Sequence, residues 1–318
     1  MRYVFRADAS HTIGSGHVMR SSAIAEEFIS RGMDTIFVGS ITELDWVTQR
    51  IRGLGFSEIY NFSSEFLPNK NTDVLVLDSY DLELDDPFVN PTTWHSVVTI
   101  VDSVTPAYLC SLRIHPGLDS DWYRDRDIPL LYGPEYIPLR KEINLGKMEL
   151  RSGTQPLRII VSSGGTDAFG LVSVLGSLLK NIEIDFKTFL FTDKPVQVTL
   201  DHRFEVVPIG PTLDILSKNA DLVFTTASTS SLEFIARGLP VAILCAVQNQ
   251  VNNYEKLGTL GVALQAGSRS PDGNWELNRD LITELVCSPN IRKQLSSRAS
   301  NYIGKSGSSR IVDAIVDL

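Results

Sequence analysis

The run Asp73-Val74-Leu75-Val76-Leu77-Asp78 constrains the fold more than any other stretch of the chain. An uninterrupted apolar segment between two acids, without polar alternation, describes a strand buried on both faces, and such strands belong to parallel sheets covered by helices. Ser96 to Val101, ending at Asp102, repeats the design. Tyr3 to Phe5, Thr35 to Val38, Leu157 to Ser162, Ala220 to Thr225 and Leu239 to Leu244 read as further strands. Helical patterns fall between them, over Val18 to Ile29, Leu44 to Leu54, Leu171 to Leu179 and Thr229 to Gly238. Strands alternating with helices mean βα units, so the expected fold class is α/β with two doubly wound Rossmann-like domains facing a cleft.

Two domains fit the size. The chain has 318 residues, 43% of them apolar, which supplies two ordinary cores and excludes a disordered chain. From Tyr132 to Pro156 the pattern breaks into Gly133, Pro134, Pro138, Gly146, Gly153 and Pro156 with charges interleaved, the composition of a linker. The expected domains are therefore residues 1–145 and 156–318. Each half opens with a strand, a glycine turn and a helix. Asn249 and Gln250 open a later helix, and residues 275–318 read as helices only.

Charge and cysteine usage remove several function classes. A net charge of −9 leaves no basic excess to neutralise phosphates along a strand, so no nucleic-acid partner is expected. Cys110, Cys245 and Cys287 are odd in number and far apart, which suggests neither a disulfide framework nor structural zinc. No secretory leader opens the sequence and no window reaches the roughly 18 apolar residues of a spanning helix. A cytoplasmic protein without membrane insertion is expected.

The chemistry concentrates between Arg6 and Arg20. Gly14 and Gly16 let the backbone approach a ligand, and the helix that follows presents unpaired N–H groups at its first turn. His17 sits there, with the one side chain that exchanges protons near neutrality. Met19 occupies the place of the third glycine of a dinucleotide fingerprint, which disfavours that ligand. Ligands of such sheets gather at the carboxyl ends of strands, where Asp8, Asp78, Ser79, Tyr80 and Asp102 fall. In the second half, Gly164, Gly165 and Thr166 can receive phosphate oxygens, as can the hydroxyl-rich helix start at Thr229, Ser230 and Ser231. Glu233 can accept from both ribose hydroxyls. These hydroxyls can equally be helix N-caps and Glu233 a first-turn acid.

The segments Arg6-x-Asp8-Ala9-Ser10 and Ile13-Gly14-x-Gly16-His17-Val18-Met19-Arg20 resemble the opening of the UDP-sugar hydrolases of pseudaminic acid biosynthesis and their spore-coat polysaccharide relatives. Gly164-Gly165-x-Asp167, Glu233 ahead of Gly238-x-Pro240, Asn249-Gln250 and Gly307-x-x-Arg310 extend the resemblance over most of the chain. It implies a B-type glycosyltransferase-like fold whose last segment, Arg310 to Leu318, crosses back to the first domain. It implies a catalytic first domain, with His17 as base and Asp8 and Tyr80 positioning sugar and histidine. It implies a nucleotide-binding second domain. Gly14, Gly16, Gly164, Gly165, Thr166, Thr229, Ser230, Glu233, Asn249 and Gln250 form the implied nucleotide and diphosphate set. The implied reaction releases UDP from an activated acetamido-deoxy sugar with water as acceptor, without metal or cofactor. A B-type transferase and a non-catalytic sugar-nucleotide binder are the rivals. The sequence departs from the family at Ala227-Ser228, where a glycine pair is usual, and at Asp102-Ser103, where a paired acid is expected. Asp119-Ser120-Asp121 resembles the metal-holding Asp-x-Asp of other transferases but lies in a loop rich in Asp and Arg, as solvated acids do. His95, His115 and His202 read as structural.

Overall fold

The computed structural model describes residues 1–61, 65–80, 82, 86, 88–102, 105, 108–118, 127–143, 156–197 and 199–318. The chain divides into two compact units, Met1–Lys141 with Gly304–Leu318, and Glu142–Ile303.

The first unit is built in order from β1 (Arg2–Ala7), α1 (Gly16–Ser30), β2 (Asp34–Val38), α2 (Asp45–Gly53), β3 (Glu58–Tyr60), β4 (Asp73–Asp78), β5 (Ser96–Ile100), β6 (Leu112–Ile114) and β7 (Leu130–Leu131). These strands form one parallel sheet in the order β3-β2-β1-β4-β5-β6-β7. Every residue of β4 is buried, as its unbroken apolar run requires. Its first acid, Asp73, is fully buried and accepts from Arg2 Nε and Nη2 at 2.8 and 2.6 Å and from the Asn69 amide at 2.8 Å. Asp73 thereby fixes the amino end of the sheet, and the acid at the other end is left for a different task.

The second unit comprises β8 (Leu157–Ser162), α3 (Leu171–Leu179), β9 (Phe186–Phe191), β10 (Phe204–Val207), α4 (Thr212–Ser217), β11 (Leu222–Thr226), α5 (Thr229–Ala236), β12 (Val241–Cys245), α6 (Val251–Thr259), β13 (Leu264–Arg269), β14 (Trp275–Leu277), α7 (Arg279–Cys287) and α8 (Pro289–Ala299). Its sheet runs β10-β9-β8-β11-β12-β13-β14, parallel except for the β13–β14 pair. That pair corrects the all-helical reading of residues 275–318. Gly267 permits it: a Cβ there would sit 2.2 Å from the Glu276 carbonyl oxygen, so only glycine lets the two strands approach.

The chain then returns to the first unit as α9 (Gly307–Val316). Ile311, Val312 and Ile315 are buried in the same core as Tyr3, Phe5, Val18, Ile24 and Phe28. Burial of each such aliphatic side chain contributes about 1.5–3 kcal/mol. Gly307 makes the docking possible, because a Cβ at this position would lie 2.0 Å from the Ile137 carbonyl oxygen. Arg31 closes the outer edge, donating from Nη1 to Asp313 at 2.6 Å.

Candidate active site

In the first sheet β1 lies between β2 and β4, with Ala7 in register with Asp78. Chain connections leave β1 and β4 in opposite directions across the sheet, the arrangement at whose carboxyl ends doubly wound sheets bind their ligands. The loop after β1 is shaped by its own backbone: the Gly14 amide donates to Ser10 O at 2.8 Å, and Gly14 has a left-handed φ of +84°. The turn delivers Gly16 as the first residue of α1 and places His17 in the first helical turn. No side chain caps this N-terminus.

His17 is only 5% exposed, and its Nδ1 stands 2.5 Å from Asp78 Oδ1. An ionised carboxylate can only accept, so Nδ1 carries a proton, and in a neutral ring Nε2 is then the acceptor. Nε2 has no hydrogen-bond partner among the described residues and is not sealed among the buried unpaired atoms. Arg20, one turn further along α1, donates from Nε and Nη2 to the two oxygens of Asp78, each at 2.6 Å. Its Nη2 also lies 3.1 Å from His17 Nδ1, a close approach and not a hydrogen bond once Nδ1 holds its own proton. Ser21 Oγ completes the carboxylate's shell at 3.3 Å. Tyr80 meets the imidazole edge-on, with centroids 4.3 Å apart at 81°, and its hydroxyl donates to Asp102. Arg20 Nη1 is 3.7 Å from that same Asp102, so one guanidinium spans both strand-end acids.

The electrostatics follow from these distances. Burial opposes the charge of Asp78, but Arg20 and His17 beside it prevail and hold its pKa at about 2. Burial likewise opposes the charge of Arg20, and Asp78 overcomes it, so the guanidinium titrates well above its usual range. Burial raises Tyr80 to about 12 against the pull of Arg20, with Asp102 adding to the rise, so its hydroxyl stays a donor.

One sequence expectation changes here. Asp8 does not touch His17: its Oδ1 pairs with Arg6 Nη1 at 2.6 Å and accepts from the Ser40 amide at 2.7 Å, which ties the loop after β1 to that after β2. Asp78 holds the histidine instead. The sequence places Asp78 at a strand end but offers no sign that β4 lies beside β1, which is what brings it to His17. Tyr80 packs edge-on against the imidazole, and its hydroxyl is turned to Asp102.

In the second unit β8 and β11 are neighbours, so the loops that follow them meet. Gly164 has φ +108°, and a Cβ there would stand 3.6 Å from Ser228 Oγ and 3.8 Å from Ser230 Oγ. Asp167 fixes this turn by accepting from Ser163 Oγ at 2.9 Å and Thr192 Oγ1 at 3.1 Å. Helix α3 starts only at Leu171, behind Gly170 in the left-handed region, so Gly164 and Gly165 do not form its N-terminus and offer phosphate only their own turn amides. Ser228 precedes α5 without a capping hydrogen bond, while Thr229 and Ser230 are half-buried in the first turn. Glu233 is buried and lies beyond that turn, so it is no first-turn acid. Asn249 and Gln250 belong to a short 3-10 turn ahead of α6, and Gln250 Oε1 accepts from the Ala246 amide at 2.9 Å. Thr166 and Gly165 are half-buried beside Gly164.

Among the described residues no three His, Cys, Asp or Glu side chains converge on a metal site, and Asp119-Ser120-Asp121 lies outside those residues. Nor is any described helix long and apolar enough to cross a membrane.

No family model matches the chain. It is 22% identical over 313 residues to the spore coat polysaccharide biosynthesis protein SpsG of Bacillus subtilis strain 168, covering 93% of this chain and 88% of that protein. Among solved structures, MurG from Acinetobacter baumannii superposes over 100% of both chains with a TM-score of 0.67 at 12% identity. CalG4, the calicheamicin glycosyltransferase, matches over 99% of this chain and 97% of its own with a TM-score of 0.61 at 14% identity. These likenesses establish the fold: α/β, with two Rossmann-like sheets as in B-type glycosyltransferases.

Proposed function

We propose that this chain is a cytoplasmic enzyme of surface-polysaccharide or nonulosonic acid biosynthesis that releases UDP from an activated acetamido-deoxy sugar by cleavage at the anomeric carbon, with water as acceptor. One observation carries the reading. His17 is hung from Asp78 by Nδ1, leaving Nε2 as a lone pair without a protein partner among the described residues, at the strand ends where ligands of doubly wound sheets collect. That atom takes a proton from the attacking water, and Asp78 steadies the imidazolium that results. Tyr80 holds the ring against rotation. In the second unit the turn amides at Gly164 and Gly165, the hydroxyls of Thr166, Thr229 and Ser230, and Asn249 receive the departing diphosphate, and Glu233 the ribose. Relatedness to SpsG supports a polysaccharide-building context.

Glycosyl transfer is the second reading, with His17 deprotonating an acceptor hydroxyl, and the likeness to a glycosyltransferase over 97% of its length favours it. Incubation with a panel of UDP-sugars, with and without sugar or lipid acceptors, separates the cases. UDP release without acceptor is the expected result. Release that waits for an acceptor assigns transfer, and tight binding without turnover makes the chain a sugar-nucleotide binder.

A further inference from the structure

A base pressed against a buried carboxylate has a problem that the proposed reaction does not itself solve. A lone negative charge 2.5 Å from Nδ1 stabilises the imidazolium, and an imidazolium cannot take a proton from water or from an acceptor. The groups facing His17 among the described residues are Asp78 at the end of β4, Tyr80 beyond it, and Arg20 from the next turn of α1, with Asp102 at the end of β5 behind Tyr80. Tyr80 keeps its proton and brings no charge. Arg20 is the one cation among these groups, it is 7% exposed, and it engages Asp78 with two bonds at 2.6 Å while its Nη2 stands 3.1 Å from the histidine nitrogen itself.

We infer that Arg20 is a positioning residue whose buried positive charge cancels that of Asp78 and so keeps His17 neutral, with its proton on Nδ1 and Nε2 open as the base. The carboxylate then sets the tautomer of the resting ring without protonating it, and steadies the imidazolium only once Nε2 has taken a proton. The fork of the guanidinium adds the geometry: it holds both oxygens of Asp78, so the carboxylate cannot turn away from Nδ1. Arg20 touches neither sugar nor nucleotide in this account. The inference rests on the reading of His17 as base, but its test reads the ring directly and does not depend on turnover.

The test is nitrogen-15 NMR of the histidine ring, which distinguishes imidazolium from either neutral tautomer, in the full chain at neutral pH. The unmodified protein is expected to show His17 neutral with the proton on Nδ1. Arg20→Gln, which keeps a hydrogen-bond donor on a shorter side chain but no charge, is expected to convert most of that signal to imidazolium, and Arg20→Lys to restore the neutral form. Turnover of Arg20→Gln falls roughly tenfold or more at unchanged KM and recovers as pH is raised, whereas His17→Asn does not recover at any pH. An imidazolium in the unmodified protein, or a His17 that stays neutral in folded Arg20→Gln, overturns the inference. Should Arg20→Gln not fold, Arg20→Met, uncharged and apolar, carries the same comparison and the same two outcomes. Activity insensitive to His17→Asn in a protein whose ring responds to Arg20→Gln would defeat the base reading alone.

Discussion

Asp78→Asn removes one charge from the centre of the first unit and changes almost no volume. The carboxylate it replaces is fully buried and accepts from Arg20 twice at 2.6 Å, from His17 at 2.5 Å and from Ser21 at 3.3 Å. The guanidinium stays behind with only Asp102, 3.7 Å from Nη1, as its counter-ion, and breaking a buried ion pair on one side costs about 3–5 kcal/mol. An amide can still accept one bond from Arg20, which places the loss near the lower end. Against a typical folding free energy of about 5–15 kcal/mol the variant remains folded, so its chemistry can be measured. The amide is also free to present its NH2 to Nδ1, which forces the proton onto Nε2 and removes the base. Turnover is then expected to fall by roughly 10²–10⁴-fold. Urea denaturation reads the first quantity and UDP release the second. A variant as stable as the parent and within about twofold of its turnover would refute both the ion pair and the tautomer argument.

The pH dependence of stability follows from the same residue. Asp78 titrates at about 2 in the folded chain against 3.8 as reference, so its stabilisation is present above pH 3.8 and lost as pH falls through about 2. Relative to Asp78→Asn, the parent should lose roughly 2 kcal/mol more across that window in acid denaturation, and parallel profiles would count against the shift. On the proposed role of Glu233 as acceptor to the ribose, Glu233→Ala should weaken UDP binding by about 1.5–3 kcal/mol in calorimetry without altering the circular dichroism. Gly307→Ala places a methyl 2.0 Å from the Ile137 carbonyl oxygen, and overpacking there should cost about 1–3 kcal/mol, read as a lower Tm.

The fold was legible where physics acts locally. The apolar run of β4 announces a strand buried on both faces, and the periodicity from Leu171 to Leu179 coincides with α3. Short edge strands escape because a segment such as Leu130–Leu131 carries too few residues for any period to register. β14 escapes because its existence depends on Gly267, a residue of the preceding strand, allowing close approach. At the strand ends, the position of His17 in the first turn of a helix behind a glycine turn is readable from the sequence. Its carboxylate partner is not, since Asp8 and Asp78 are equivalent strand-end acids in the sequence. Strand order decides between them: β2 draws the loop of Asp8 toward Ser40, while β4 brings Asp78 across 61 residues of chain to Nδ1. The sequence reads Gly164 and Gly165 as a helix start, but the helix begins further on, because Gly170 delays it.

The central claim is that His17 performs the chemistry while the second unit holds the nucleotide. His17→Asn separates the two functions most directly, with UDP affinity measured by calorimetry and turnover by UDP release from the best substrate of the panel. Affinity is expected to stay close to that of the parent while turnover drops by roughly 10²–10⁴-fold. Full turnover in the variant would contradict the account, as would a loss confined to UDP binding.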